Sequence, residues 1–152
     1  MAQRGFTIIE LVVVIAILGV LSVAAVTMTF DFKRSYVEVA AQKTRSDIEH
    51  ARSLAMTKKG TIYGAFFNDA TDTYTVYQTA IATPVADPLT KQNLIEDLSK
   101  WSGVSITGGD YTVEFNQLGA PTVGGGGGVQ LTDGTNTKII SVTAVTGKVS
   151  VE

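Results

Sequence analysis

Arg4-Gly5-Phe6-Thr7-Ile8-Ile9-Glu10 opens a run that continues through Leu11–Val26 with no further ionisable side chain. From Phe6 to Phe30 the only such group is Glu10. A helix of that length, at about 1.5 Å rise per residue, covers the roughly 30 Å hydrocarbon core of a bilayer. A lone carboxylate at membrane depth costs about 2.5–3.5 kcal/mol on insertion scales, so Glu10 marks a functional position that calls for a cationic partner. The stretch therefore predicts a membrane-spanning helix over 6–30 with one deliberate charge near its head.

Beyond Phe30 the helical pattern changes character without stopping. Val37, Ala41, Thr44, Ile48, Ala51 and Ala55 recur at three- and four-residue steps, and Lys33, Arg34, Glu38, Gln42, Lys43, Arg45, Asp47, Glu49 and Arg52 fill the other faces. The first proline is Pro84, and Lys58-Lys59-Gly60 supplies a basic last turn and a glycine stop. One helix is expected from Phe6 to Lys58, amphipathic over 31–59.

After Gly60 the period becomes strand-like. Thr61–Phe67 and Thr73–Thr79 read as a hairpin about Asn68-Asp69-Ala70-Thr71-Asp72, an acidic turn without the ligand spacing of a calcium loop. Residues Ala80–Thr90, with Pro84 and Pro88, read as a loop, Lys91–Leu98 as a short helix or turn, and Trp101 as cover for one edge of the core. Tyr111–Phe115, Val129–Leu131, Lys138–Val145 and Lys148–Val151 read as further strands, the last two paired across Thr146-Gly147. The five glycines Gly124–Gly128 lack a following Gly-Lys-Ser/Thr and read as a flexible surface loop. The fold class is α+β, a long amino-terminal helix packed in its second half against a carboxy-terminal antiparallel β-sheet domain. Its divisions are 1–5, 6–30, 31–59 and 60–152.

Composition narrows the function classes. The 152 residues include no cysteine, so there is no disulfide framework and no thiol nucleophile, and the one histidine, His50, lies between Glu49 and Ala51 with no second histidine or cysteine in the chain. Net charge is −2 at pH 7, which gives no broad attraction to nucleic acid. An enzyme is not expected, nor a cofactor, a metal site or a nucleic-acid partner.

Gly5-Phe6-Thr7-Ile8-Ile9-Glu10-Leu11 resembles the prepilin processing site of the type IV pilin and type II secretion pseudopilin superfamily. The resemblance implies that residues 1–5 are a leader, that prepilin peptidase cuts between Gly5 and Phe6, and that the new Phe6 amine is methylated. It also implies that Glu10 and Phe6 serve assembly, Glu10 of one subunit neutralising the Phe6 amine of a neighbour. An unpaired buried charge costs far more than a paired one, so such a pair selects register. Further pieces, Asp47–Ala55, Val113–Pro121 and Val145–Val151, are similar to the GspH/FimT group of minor pilins and pseudopilins, although the cysteine pair and basic tail of many FimT-type pilins are absent.

The function implied is that of a structural subunit of a type IV filament, a minor pilin or minor pseudopilin. A filament-tip adhesin or DNA-uptake receptor and a major pilin stand as alternatives. The implied partners are other pilin or pseudopilin subunits, prepilin peptidase, an inner-membrane assembly platform and membrane lipid. The implied location is the inner membrane, single-pass with the carboxy-terminal domain in the periplasm, before assembly into a filament.

Overall fold

The computed structural model describes residues 7–152, and for residues 23–35 the backbone alone. It divides into two compact units, Met1–Lys33 and Arg34–Glu152. The leader at 1–5, the Gly5–Phe6 bond and the side chains of Ala24, Ala25, Val26 and Thr27 lie outside the described residues.

Helix α1 covers Ile8–Thr57. Lys58 N–H still donates to Leu54 O at 2.8 Å, and Gly60 then turns the chain out at φ +83°, a left-handed conformation that glycine adopts without steric cost. In the second unit the buried stripe of the helix is Val37, Ala40, Ala41, Thr44, Ile48, Ala51 and Ala55, matching the periodicity of the sequence. Four of these seven are alanine, so the helix backbone can approach the β-domain closely.

Ten short strands follow. They are β1 (Tyr63–Asn68), β2 (Thr73–Gln78), β3 (Ala80–Pro84), β4 (Ile95–Asp97), β5 (Ser105–Thr107), β6 (Tyr111–Phe115), β7 (Pro121–Val123), β8 (Gly128–Thr132), β9 (Thr137–Val142) and β10 (Val149–Val151), with a 3-10 turn at Leu98–Lys100. All named pairings are antiparallel. The strands form two sheets rather than one. The first has the order β3-β2-β1-β6-β7, with β4 also on β2, and the second has the order β10-β9-β8-β5. Tyr63, Phe67, Tyr74, Val76, Val113 and Phe115 of the first sheet and Val129, Leu131, Ile140 and Val142 of the second meet the helix stripe in one core.

The β1–β2 hairpin holds the register Asn68↔Thr73. Strand β3 lies where the sequence reads as a loop. Four of its five residues are exposed, so no alternation marks it. Where the sequence reads as a short helix or turn over 91–98, residues 91–97 give the end of a loop and β4, and only Leu98 belongs to the 3-10 turn. Trp101 packs half-buried against the core.

The five-glycine run is an ordered connection between the sheets. Tyr111 Oη donates to Gly124 O at 2.7 Å, Gly126 N–H donates to Val142 O at 2.8 Å, and Val142 N–H donates to Gly127 O at 2.9 Å. A Cβ at Gly124 would stand 2.1 Å from Thr112 O, and one at Gly128 would stand 2.4 Å from Ile140 O. Glycine is used here for close backbone approach, which replaces the expected flexibility.

Candidate assembly site

Thr7 precedes the first turn of α1, and its hydroxyl accepts from Glu10 N–H at 3.3 Å. Glu10 Oε2 returns the bond, accepting from Thr7 N–H and from Thr7 Oγ1, each at 3.2 Å. The Thr7-Ile8-Ile9-Glu10 spacing is that of a capping box, in which the residue before the helix and the third residue within it satisfy one another's backbone donors. A carboxylate at the head of a helix is also favoured by the exposed N–H groups there. Glu10 thus has donors of its own chain within reach. The capping box is readable in the sequence as Thr-x-x-Glu, a signal that the membrane-depth reading of Glu10 passed over.

Along Ile8–Leu21 all eleven large aliphatic side chains are exposed, from 50% at Val12 to 85% at Ile8. Exposed aliphatic side chains on every side of one helix make an apolar surface of the kind that marks an interaction site. Among the described residues no helix is long and apolar enough to cross a membrane. The span expected over 6–30 includes Phe6 and side chains that are not described. Ser22 Oγ donates to Leu18 O at 2.7 Å, within its own helix.

In the second unit the structure assigns roles that periodicity missed. Asp47, expected on the exposed face, is only 6% exposed. It accepts from Tyr74 Oη at 2.6 Å and from Lys43 Nζ at 2.6 Å, and Lys43 reaches Glu96 at 3.5 Å. Burial, then the Asp47 carboxylate, push the Tyr74 hydroxyl far above its ordinary value. Burial lowers Lys43, but its bonds and charge contacts with Asp47 and Glu96 outweigh this and raise it. The network fixes α1 to β2 and β4.

Arg52 ties the other end of the helix. Its Nε donates to Gly119 O at 2.8 Å and its Nη2 to Thr146 O at 2.9 Å. These carbonyls belong to the β6–β7 and β9–β10 turns, one from each sheet. Gly147 fits under the clamp because it has no Cβ, which would stand 2.2 Å from Gly119 O.

The acidic turn is a latch. Asp69 Oδ2 accepts from Gly109 N–H, Asp72 Oδ1 from Ile106 N–H, and Asp110 Oδ1 from Asp69 N–H. Among the described residues no group of three His, Asp or Glu side chains could hold a metal ion. His50 is half-buried on α1 and lines a groove with Leu54, Lys58 and Tyr63.

A family described as the prokaryotic N-terminal methylation motif matches residues 1–26. No curated protein sequence matches the chain. Two crystal structures of the type IV minor pilin FimU of Pseudomonas aeruginosa resemble it. The first superposes at TM-score 0.52 and 12% identity, covering 78% of this chain and 90% of that one. The second does so at TM-score 0.50 and 13% identity, covering 76% and 91%. The chain joins a prokaryotic N-terminal methylation motif to the α+β fold of a type IV pilin.

Proposed function

We propose that this protein is a structural subunit of a type IV filament, a minor pilin or a minor pseudopilin serving pilus biogenesis or type II secretion. The observation that carries the reading is α1 from Ile8 to Leu21, apolar and exposed all round, with Glu10 closing its head. The methylation motif covers that same stretch, and the fold behind it is similar to that of a type IV pilin, which supports the reading.

In this reading prepilin peptidase cuts between Gly5 and Phe6, and Phe6 is methylated at its amine. The mature chain waits in the inner membrane, with its carboxy-terminal domain in the periplasm, until the assembly platform feeds it into the filament. While it waits, the Thr7 N–H and hydroxyl lower the cost of holding the Glu10 charge among apolar surroundings, because a hydrogen-bonded carboxylate is cheaper to desolvate than a bare one. On assembly the carboxylate meets the Phe6 amine of an adjacent subunit. Apolar helices drive close approach without fixing height, and the charge pair selects one register.

The test compares wild type with Glu10→Gln, measuring the ratio of protein in sheared filaments to protein in the inner membrane. Glu10→Gln should insert as well as wild type and lower that ratio by about tenfold or more. Intact mass should show loss of residues 1–5 and one added methyl group. An uncut chain, or an unchanged ratio for Glu10→Gln, would overturn the reading.

A further inference from the structure

Three side chains of α1 stand in a row where its last turns meet the loop between β3 and β4. His50, Leu54 and Lys58 are four positions apart, and Lys58 N–H still donates to Leu54 O, so they follow one another at about 6 Å steps along the helix. They line an open groove of about 500 Å³, within the size of sites that take a ligand. Tyr63 and Gln78 of the first sheet and Pro84, Pro88 and Asn93 around the loop complete its lining. That side of the groove is stiff. Val85 N–H donates to Val76 O at 2.8 Å, Leu94 N–H donates to Val85 O at 2.7 Å, and Ala86 bridges Asn93, while each proline fixes its own φ. A wall already ordered adds little ordering cost when something docks on it.

The lining carries a cation and no counter-charge. No Asp or Glu is among its described residues, and Asp87 of the loop turns its carboxylate to Leu89 N–H and Thr90 N–H instead. Among the described residues the Lys58 ammonium, the His50 ring and the Asn93 side chain have no hydrogen-bond or ion-pair partner. Tyr63 Oη donates to Gln78 Oε1 at 3.3 Å, which leaves the Gln78 Nε2 hydrogens open. Two amide side chains suit the backbone of a bound peptide, and an ammonium and an imidazole at the ends of the row suit carboxylates. Leu54 between them is half-buried and gives an apolar contact.

Spacing names the occupant. In an extended chain alternate side chains share one face at about 6.7 Å steps, so its first, third and fifth positions span about 13 Å, against about 12 Å from His50 to Lys58 along the helix. The row fits a segment that reads acid, any residue, apolar, any residue, acid, with the acids on His50 and Lys58 and the apolar side chain on Leu54. This chain cannot supply it. Its only acids four positions apart are Asp110 and Glu114, with Thr112 between them, and Glu114 lies in β6, paired to β1 and β7 on either side. We propose that the groove of His50, Leu54 and Lys58 binds an extended segment of this acidic pattern from a different subunit of the filament. This rests on the filament reading and gives one neighbour of the minor subunit a chemistry.

The probe is a fluorescein-labelled peptide, Glu-Thr-Leu-Thr-Glu, blocked at both ends. Its control, Glu-Leu-Thr-Glu-Thr, has the same composition and charge but places its acids on opposite faces when extended. Anisotropy would be titrated with the full-length chain in detergent. The probe should bind about tenfold or more tightly than the control, and Lys58→Glu should weaken it by about tenfold or more. One of the two peptides in which lysine replaces a single glutamate should recover binding to Lys58→Glu, which a misfolded variant would not do. Equal binding of probe and control, no binding of either, or a Lys58→Glu chain that binds as wild type does would overturn the groove. In cells Lys58→Glu should insert as wild type does and enter sheared filaments at about a tenth of the wild-type ratio; an unchanged ratio would overturn a filament subunit as the source of the segment. A wild-type chain that binds the probe but never enters filaments sinks the filament reading and keeps the groove. One that enters filaments and binds no probe sinks the groove alone.

Discussion

Gly124 and Gly126 both sit in the left-handed region, at φ +72° and +83°, yet a methyl group would do different harm at each. At Gly126 the nearest atom to an added Cβ is Ala144 Cβ at 3.5 Å, whereas at Gly124 it is Thr112 O at 2.1 Å. Gly126→Ala should cost the left-handed penalty alone, about 1–2 kcal/mol. Gly124→Ala must also move a strand backbone and should cost about 3 kcal/mol or more. Urea unfolding of the two variants would show the difference, and equal midpoints would mean that the glycine run yields as a loose linker does. Composition could not have revealed this, because a flexible loop and a tightly packed backbone both call for glycine. Asp47 is a similar case. Its spacing placed it off the buried stripe, and only the fold shows that Tyr74 and Lys43 meet it there. Glu10 was legible as the special charge, and its partner Thr7 was legible too, through capping chemistry rather than hydropathy.

At the scale of elements, those with a period were legible and those without one were not. Helix α1, the β1–β2 hairpin, β6, β8 and β9 follow 3.6- or 2-residue patterns, and the three-residue β10 is legible through the Thr146-Gly147 turn that pairs it with β9. Strands β4, β5 and β7 have three residues each, too few to show alternation, and β3 is exposed along its length. The loop after β3 gives a pH prediction. Hydrogen bonds from the backbone of Thr90, then Leu89, hold the Asp87 carboxyl below the ordinary carboxylate value. A lowered folded value means that the ionised form stabilises the loop. That contribution is complete above about pH 4, the ordinary value, and disappears as pH falls through the lowered one. Amide exchange at Leu89 and Thr90 should therefore accelerate in acid beyond its intrinsic pH dependence. The Asp87→Asn variant, whose side chain does not titrate, should lack that acid-induced step, and the same step in the variant would assign it elsewhere.

On the scale of the whole molecule, Arg34–Glu152 is a compact unit that contains the core from Val37 to Val149. A chain beginning at Arg34 should therefore be soluble and unfold cooperatively. Circular dichroism and a thermal melt would check this, and a helix-free or aggregated product would place the necessary core contacts further upstream. The α+β class could be read in advance from the helical period and the strand-like alternation behind it, both of which are local patterns. The division into two sheets could not, because it depends on which distant strands pair.

The Arg52 clamp joins partners 67 and 94 positions away along the chain. Such bonds can close only after the β6–β7 and β9–β10 turns have formed, so they belong to the end of folding and not to its nucleus. Arg52→Ala should then leave the refolding rate nearly unchanged and raise the unfolding rate by about tenfold. A stopped-flow chevron in which the refolding arm slowed instead would put the clamp in the transition state. If the clamp closes last, Arg52 governs how long the native domain persists, while the helix stripe and the β1–β2 hairpin govern how quickly it is reached.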